Sequence, residues 1–222
     1  NLATIASGLR DGSIPPDTLD VASLFSSGKV NAVYGSSTAG KTWIRLDPAR
    51  RHYAETGRRT VYVDAEDGPK GFAQRALQMD EKLLDALLYF PARGGLSDPA
   101  RLFALVKAND VGLVIVDSLG ELLAGADGDS NLEKDVTRWM ARNIRPLADL
   151  GPAVVLIDHT AKARPGVEAT QVGSFRKQAA ITGNQYRADS KVSFSRNKAG
   201  QSVLVVTKDR SGWFSKDSVA AT

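Results

Sequence analysis

The sequence predicts an α/β domain with a mostly parallel central sheet flanked by helices and a C-terminal antiparallel hairpin. Three observations carry that expectation. Short β-branched apolar runs alternate with helix-length amphipathic stretches as far as Ile157, the pattern of a parallel sheet covered by helices. Beyond Ile157 two runs of alternating polarity flank a turn signal, which reads as a hairpin. The 222 residues, 42% hydrophobic and 24% charged, suffice for one globular domain with a substantial core.

The elements follow in order. Asn1 to Ser27 is too short to form a domain and reads as an N-terminal segment before a domain spanning 28–222. Val30 to Tyr34 is a buried strand that enters a Gly/Ser loop, and Lys41 to Thr56 is a helix that Pro48 should kink or end. Thr60 to Val63 is the next strand, followed by helices over Gly71 to Ala86 and Pro99 to Ala108. Leu113 to Val116 is a strand, Asn131 to Ala148 a helix interrupted by Pro146, and Ala153 to Ile157 a strand. A Gly-, Pro- and Thr-rich loop then leads to a short helix from Ser174 to Ala180. The hairpin strands are Tyr186 to Phe194 and Val203 to Lys208, with Asn197 to Gly200 as the turn.

The chain contains no cysteine, which excludes a disulfide scaffold and a thiol zinc site. No run approaches the roughly 18 apolar residues of a spanning helix, and Asn1 to Pro15 lacks a basic-then-apolar leader pattern. A soluble, cytoplasmic protein without a membrane partner is expected. The net charge of +4 hides an asymmetry: residues 1–161 hold 18 basic and 21 acidic side chains, residues 162–222 hold 11 and 4. The basic last quarter reads either as a solvated surface or as a footprint for a polyanion.

Gly35-Ser36-Ser37-Thr38-Ala39-Gly40-Lys41-Thr42 fits the phosphate-binding pattern G-x-x-x-x-G-K-[ST], between a strand and a helix as that pattern requires. Its glycines let backbone N–H groups curl around phosphates, Lys41 reaches the β and γ oxygens, and the Thr42 hydroxyl is placed for Mg²⁺. The chain therefore calls for ATP and Mg²⁺. A second metal anchor is expected at the end of a neighbouring strand, where Asp117 closes Leu113-Val114-Ile115-Val116. Hydrolysis further needs a carboxylate to orient water. Asp64-Ala65-Glu66-Asp67 offers several, of which Glu66 is the candidate base, with Asp64 and Asp67 as a strand-end partner and an N-cap. The residue after Asp117 is Ser118, which cannot take that role. His52 reads as a surface residue. His159, at the end of its strand, is placed to sense a γ-phosphate.

In this order GSSTAGKT, DAEDG, LVIVDSLGEL, VVLIDHTAK and VVTKDRSGWF resemble the RecA-like ATPases of the hexameric helicase type. Within them the likeness is to plasmid RepA-like and phage or mobile-element AAA-type ATPases with a DnaB-like core. The resemblance spans Gly28 to Phe214. It implies Lys41 and Thr42 on phosphate and Mg²⁺, Asp117 as the second metal acid, Glu66 as catalytic base and His159 as γ-phosphate sensor. Lys208 and Arg210 match a K-x-R finger that reaches a neighbouring subunit's site, where such a residue can add ~10³ to 10⁵ in rate.

The same resemblance implies a homo-oligomeric, hexameric ring around single-stranded DNA, with Leu122 to Asn131 and Lys162 to Lys177 facing its centre. Lys162, Arg164, Arg176 and Lys177 would contact backbone phosphates. Leu24 and Phe25 would anchor the N-terminal segment on a neighbour. The expected function is Mg²⁺-dependent ATP hydrolysis by a DNA-associated helicase or translocase in replication or recombination. A RecA-type recombinase, a regulatory ATP switch and a small-molecule kinase are the alternatives.

Overall fold

The computed structural model describes residues 1–14, 16–36, 39–125, 133–160, 175–194 and 198–222. Helix α1 (Leu2–Asp11) precedes β1 (Val30–Gly35), α2 (Lys41–Thr56), β2 (Arg59–Asp64), α3 (Pro69–Met79), α4 (Leu83–Ala86) and β3 (Leu87–Pro91). Then come α5 (Pro99–Ala108), β4 (Val111–Asp117), α6 (Leu119–Ala124), α7 (Glu133–Trp139), a π-helical segment (Met140–Ile144), α8 (Arg145–Asp149) and β5 (Ala153–His159). The chain ends with α9 (Phe175–Ala180), β6 (Gln185–Val192), β7 (Gln201–Lys208) and β8 (Val219–Ala221).

The eight strands form one sheet in the order β3-β2-β4-β5-β1-β6-β7-β8. All pairings from β3 to β6 are parallel, and β6-β7 and β7-β8 are antiparallel. The parallel core and the hairpin are as the sequence predicts. Alternation along the strands sorts the core between two faces. Val61, Val63, Val114, Val116, Val154 and Leu156 pack with Leu102 of α5, Leu119 and Leu122 of α6 and Leu147 of α8. Tyr62, Leu113, Ile115, Val155 and Ile157 pack with Leu46 of α2, Phe72 of α3 and Leu83 of α4.

Several expectations change. Pro48 does not end α2, which runs 16 residues through it to a left-handed Gly57 cap; its missing N–H leaves only the Ile44 carbonyl without a helical donor. Before Pro146 the helix widens to π, and Pro146 follows in the first turn of α8; proline has no N–H to give the helical ladder, and it sits where the π turn already interrupts that ladder. The predicted helix to Ala86 stops at Met79, and the apolar run Leu87–Pro91 is an additional parallel strand beside β2. Leu24 and Phe25 are buried in this chain's own core, so they are not free to anchor on a neighbour. The exposed apolar residues of the N-terminal segment are Leu2, Ile5 and Leu9 on α1. Among the described residues no helix is long and apolar enough to cross a membrane.

Parallel register brings the motifs together. Gly35 lies opposite His159, and Asp64 opposite Asp117. Residues far apart in sequence thus line the carboxyl edge of the sheet, where open α/β folds bind ligands.

Candidate active site

At the end of β1 the loop is built by close approach. A Cβ added to Gly35 would lie 2.7 Å from the Ala188 carbonyl. Gly40 takes the left-handed φ of +70° that glycine adopts without strain. Ser202 Oγ on β7 donates to the Ala39 carbonyl at 2.7 Å, so the hairpin braces the loop. Ser37 and Thr38 lie outside the described residues, as does the Thr42 side chain.

Lys41 is buried, and its ammonium meets Gly35 O at 2.8 Å, Ser36 O at 2.9 Å and His159 Nδ1 at 3.2 Å. Burial lowers its pKa. An ammonium only donates, so Nδ1 of His159 is the acceptor and the ring proton sits on Nε2. From there it donates to Glu66 Oε1 at 3.0 Å. That hydrogen bond, opposed by burial, holds the Glu66 carboxyl down to about 2. Lys41, His159 and Glu66 therefore form one relay, joined across 118 and 93 residues of sequence.

Asp64 positions Glu66 from below. Its Oδ1 accepts from the Glu66 and Asp67 backbone N–H groups, its Oδ2 from Gly68 N–H and from Tyr89 Oη at 2.8 Å. The strand-end aspartate is thus the organiser of the turn that presents Glu66. Asp67 pairs instead with Arg75, rather than capping α3.

Asp117 is buried, and Arg45 and Tyr62 both hold its Oδ2. Burial raises its pKa, and the Arg45 charge opposes that rise. Its other oxygen, Oδ1, is buried with no hydrogen-bond partner among the described residues. A hard divalent cation with its water shell takes carboxylate oxygen in this way, so the residue fits Mg²⁺. Arg45 and Tyr62 escaped the sequence reading. Arg45 stands one helical turn after Lys41 and so shares its face, a signal that was available. Tyr62 is recognisable only once β2 and β4 are paired.

Other expected residues are placed differently. Lys177 Nζ pairs with Asp158 Oδ2 at 2.9 Å, both side chains 2% exposed, so Lys177 is an internal counter-ion and cannot meet a solvent-borne polyanion. Lys162 and Arg164 and the Arg176 side chain lie outside the described residues, and so does most of the loop from Leu122 to Asn131. His52 is buried with both ring nitrogens unpartnered among the described residues, not on the surface, and burial lowers its pKa.

Lys208 donates to the Gln178 and Ile181 carbonyls at 2.5 and 2.8 Å, so its own chain engages it. Burial, with Arg210 nearby, brings it down to about 8. Asp209 accepts from Ser211, Gly212 and Phe214 N–H, which braces the turn beside the exposed Arg210. Lys208 pairs with Gln185 at the start of β6, so Arg210 leaves the sheet at the edge opposite the Gly35 loop.

In sequence comparison, residues 2–165 match the AAA domain family. The chain belongs to that family. With a sheet consistent with a RecA-like P-loop fold, it is also similar to curated RecA proteins. It is 26% identical to Protein RecA of Mycoplasma genitalium over 147 residues, covering 63% of this chain and 42% of the relative. The same identity holds against Protein RecA of Mycoplasma pneumoniae, at 63% and 43% coverage. Against Protein RecA of Malacoplasma penetrans it is 29% over 132 residues, at 56% and 37%. The chain spans about two-fifths of the length of these relatives.

Proposed function

We propose that this chain hydrolyses ATP with Mg²⁺ and works as a homo-oligomeric, hexameric ring on single-stranded DNA, as a helicase or translocase in replication or recombination. The observation that carries the hydrolytic reading is the relay from Lys41 through His159 to Glu66. It lowers the carboxyl's pKa and ties the carboxylate to Lys41 at the mouth of the glycine loop. Glu66 would orient the water that attacks the terminal phosphorus, while Lys41 and the loop backbone hold the phosphate oxygens. Thr42 and Asp117 would hold Mg²⁺, which when bound offsets charge on the β and γ oxygens.

The ring reading draws on Arg210. It projects from the sheet edge away from this chain's own loop, which suits a residue acting on a neighbour's nucleotide. The exposed Leu2, Ile5 and Leu9 of α1 add an apolar surface for contact between copies. A second reading, a RecA-type recombinase or ATP switch without unwinding, draws on the similarity to RecA proteins.

Mixing inactive variants tests the first reading. Arg210→Ala and Glu66→Gln should each fold, bind ATP and fail to hydrolyse it alone. Mixed subunits should regain activity, because one kind supplies the base and the other the finger. A mixture inactive at all ratios counts against a finger in trans. A monomer in ATP with DNA-independent turnover counts against the ring.

A further inference from the structure

A cavity of about 570 Å³ opens beside the glycine loop, lined among others by Trp43, Ile44, Asp47, Arg51, Phe194 and Gln201. Its walls come from the first turns of α2, the tip of the β6–β7 hairpin and the C-terminal residues. Phe194 leans across the loop so closely that a Cβ on Gly40 would overlap its ring, as would one on Gly200. The Trp43 and Phe194 rings lie 6.5 Å apart between centroids, with planes inclined at 28°, near the outer limit of direct aromatic contact. Both are half-buried, so each retains surface for a further planar group.

The order of the sheet gives a bound nucleotide a direction. Glu66 follows β2, Asp117 ends β4 and His159 ends β5, all on one side of β1. The cavity lies on the other side, where β6, β7 and β8 continue the sheet. A nucleoside triphosphate with its terminal phosphate toward Glu66 must send its nucleoside across Gly40 toward Trp43 and Phe194. The volume is in the range of small-ligand sites. On the rim, Asp47 is paired with Arg50 at 2.9 Å and with Arg51 at 3.0 Å, so one carboxylate offsets one of the two guanidinium charges, and the two ring faces offer stacking beside the positive charge that remains.

We infer that Trp43 and Phe194 form the seat of the nucleobase and hold it by stacking. This rests on the nucleotide-binding reading above. Base-on-aromatic stacking of this kind supports roughly 10-fold or more in affinity per ring. The two glycines at positions 40 and 200 then have a second purpose, since they admit the Phe194 ring that covers the loop.

Binding of Mg-ATP and of inorganic triphosphate to the full chain, measured by calorimetry, tests the assignment. Trp43→Ala and Phe194→Ala should each weaken ATP binding by about 10-fold or more and leave triphosphate binding at the wild-type level. Trp43→Phe should retain most of the ATP affinity, and Lys41→Ala should weaken both ligands. ATP affinity unchanged in both alanine variants, or ATP and triphosphate weakened together, overturns the seat. Wild-type protein that binds neither ligand overturns the nucleotide reading itself. Should the variants not fold, photolysis of wild-type protein with 8-azido-ATP gives the same answer: attachment within 43–51 or 192–202 supports the seat, and attachment confined to other segments overturns it.

Discussion

Replacing His159 with alanine removes the hydrogen bond that lowers the Glu66 pKa. With the Nε2 donor at 3.0 Å in place, the Glu66 carboxyl titrates at about 2. Without it, burial acts with less opposition, and the carboxyl should move toward its ordinary value of 4.5. Each tenfold change in proton affinity corresponds to about 1.4 kcal/mol, so the full difference caps the coupling near 3 kcal/mol. Because Glu66 is only half-buried and solvent screens part of this, about 1–2 kcal/mol is expected.

The sign is fixed by the direction of the shift. A carboxyl depressed in the folded state stabilises the fold above its unfolded pKa, and that contribution fades as pH falls from about 4.5 toward 2. The stability gap between wild type and His159→Ala should therefore be largest at neutral pH and shrink in acid. Glutamate side-chain ¹³C NMR is a direct assay, because the chain has only six glutamates and Glu66→Gln assigns the resonance. Wild-type Glu66 should stay ionised below pH 3, and the variant should titrate near 4.5. Equal titration midpoints in the two proteins would refute the relay.

Lys177→Ala should destabilise the fold by about 3–5 kcal/mol in urea denaturation, because it strands Asp158 without its buried partner; a change confined to DNA affinity would restore the surface reading. Gly112→Ala should lower the melting temperature, at a cost of about 1–3 kcal/mol, since its Cβ would overlap the His52 ring. His52 contributes a pH dependence of its own. Its pKa is lowered in the fold, so the unfolded chain takes up the proton first as pH falls through 6.5, and stability should drop by up to about 1.4 kcal/mol per pH unit. Denaturant titrations at pH 7.5, 6.5 and 5.5 should show that drop in wild type and a smaller one in His52→Leu.

How much of this was legible in sequence depends on the range over which each signal acts. Strand and helix periods are local, so α2 and α5 start and stop where the sequence predicts. The glycine loop is legible for the same reason, since its chemistry is carried by eight consecutive residues. The apolar run Leu87–Pro91, to which the sequence reading gives no element, is a strand; a short buried strand and a buried helical turn share the same composition, so the run alone does not identify it. Pro48 was over-read, since packing of Leu46 and Ala49 in the core outweighs one missing helical hydrogen bond.

The candidate site divides along the same line. Residue types in order along the chain mark by themselves the loop after β1 as the candidate phosphate site, and the acids and histidine that are candidates to stand near it. Only the tertiary structure decided which side chains those residues touch. Lys41 meets His159 across 118 residues, and Tyr62 meets Asp117 across 55. Lys177, which looked like part of a basic surface, is consumed by Asp158 inside the protein. For the first two contacts the cause is parallel pairing, in which crossovers bring distant strand ends to one edge; for Lys177 it is the packing of α9 beside β5, and a charge's role is set by the partner it meets.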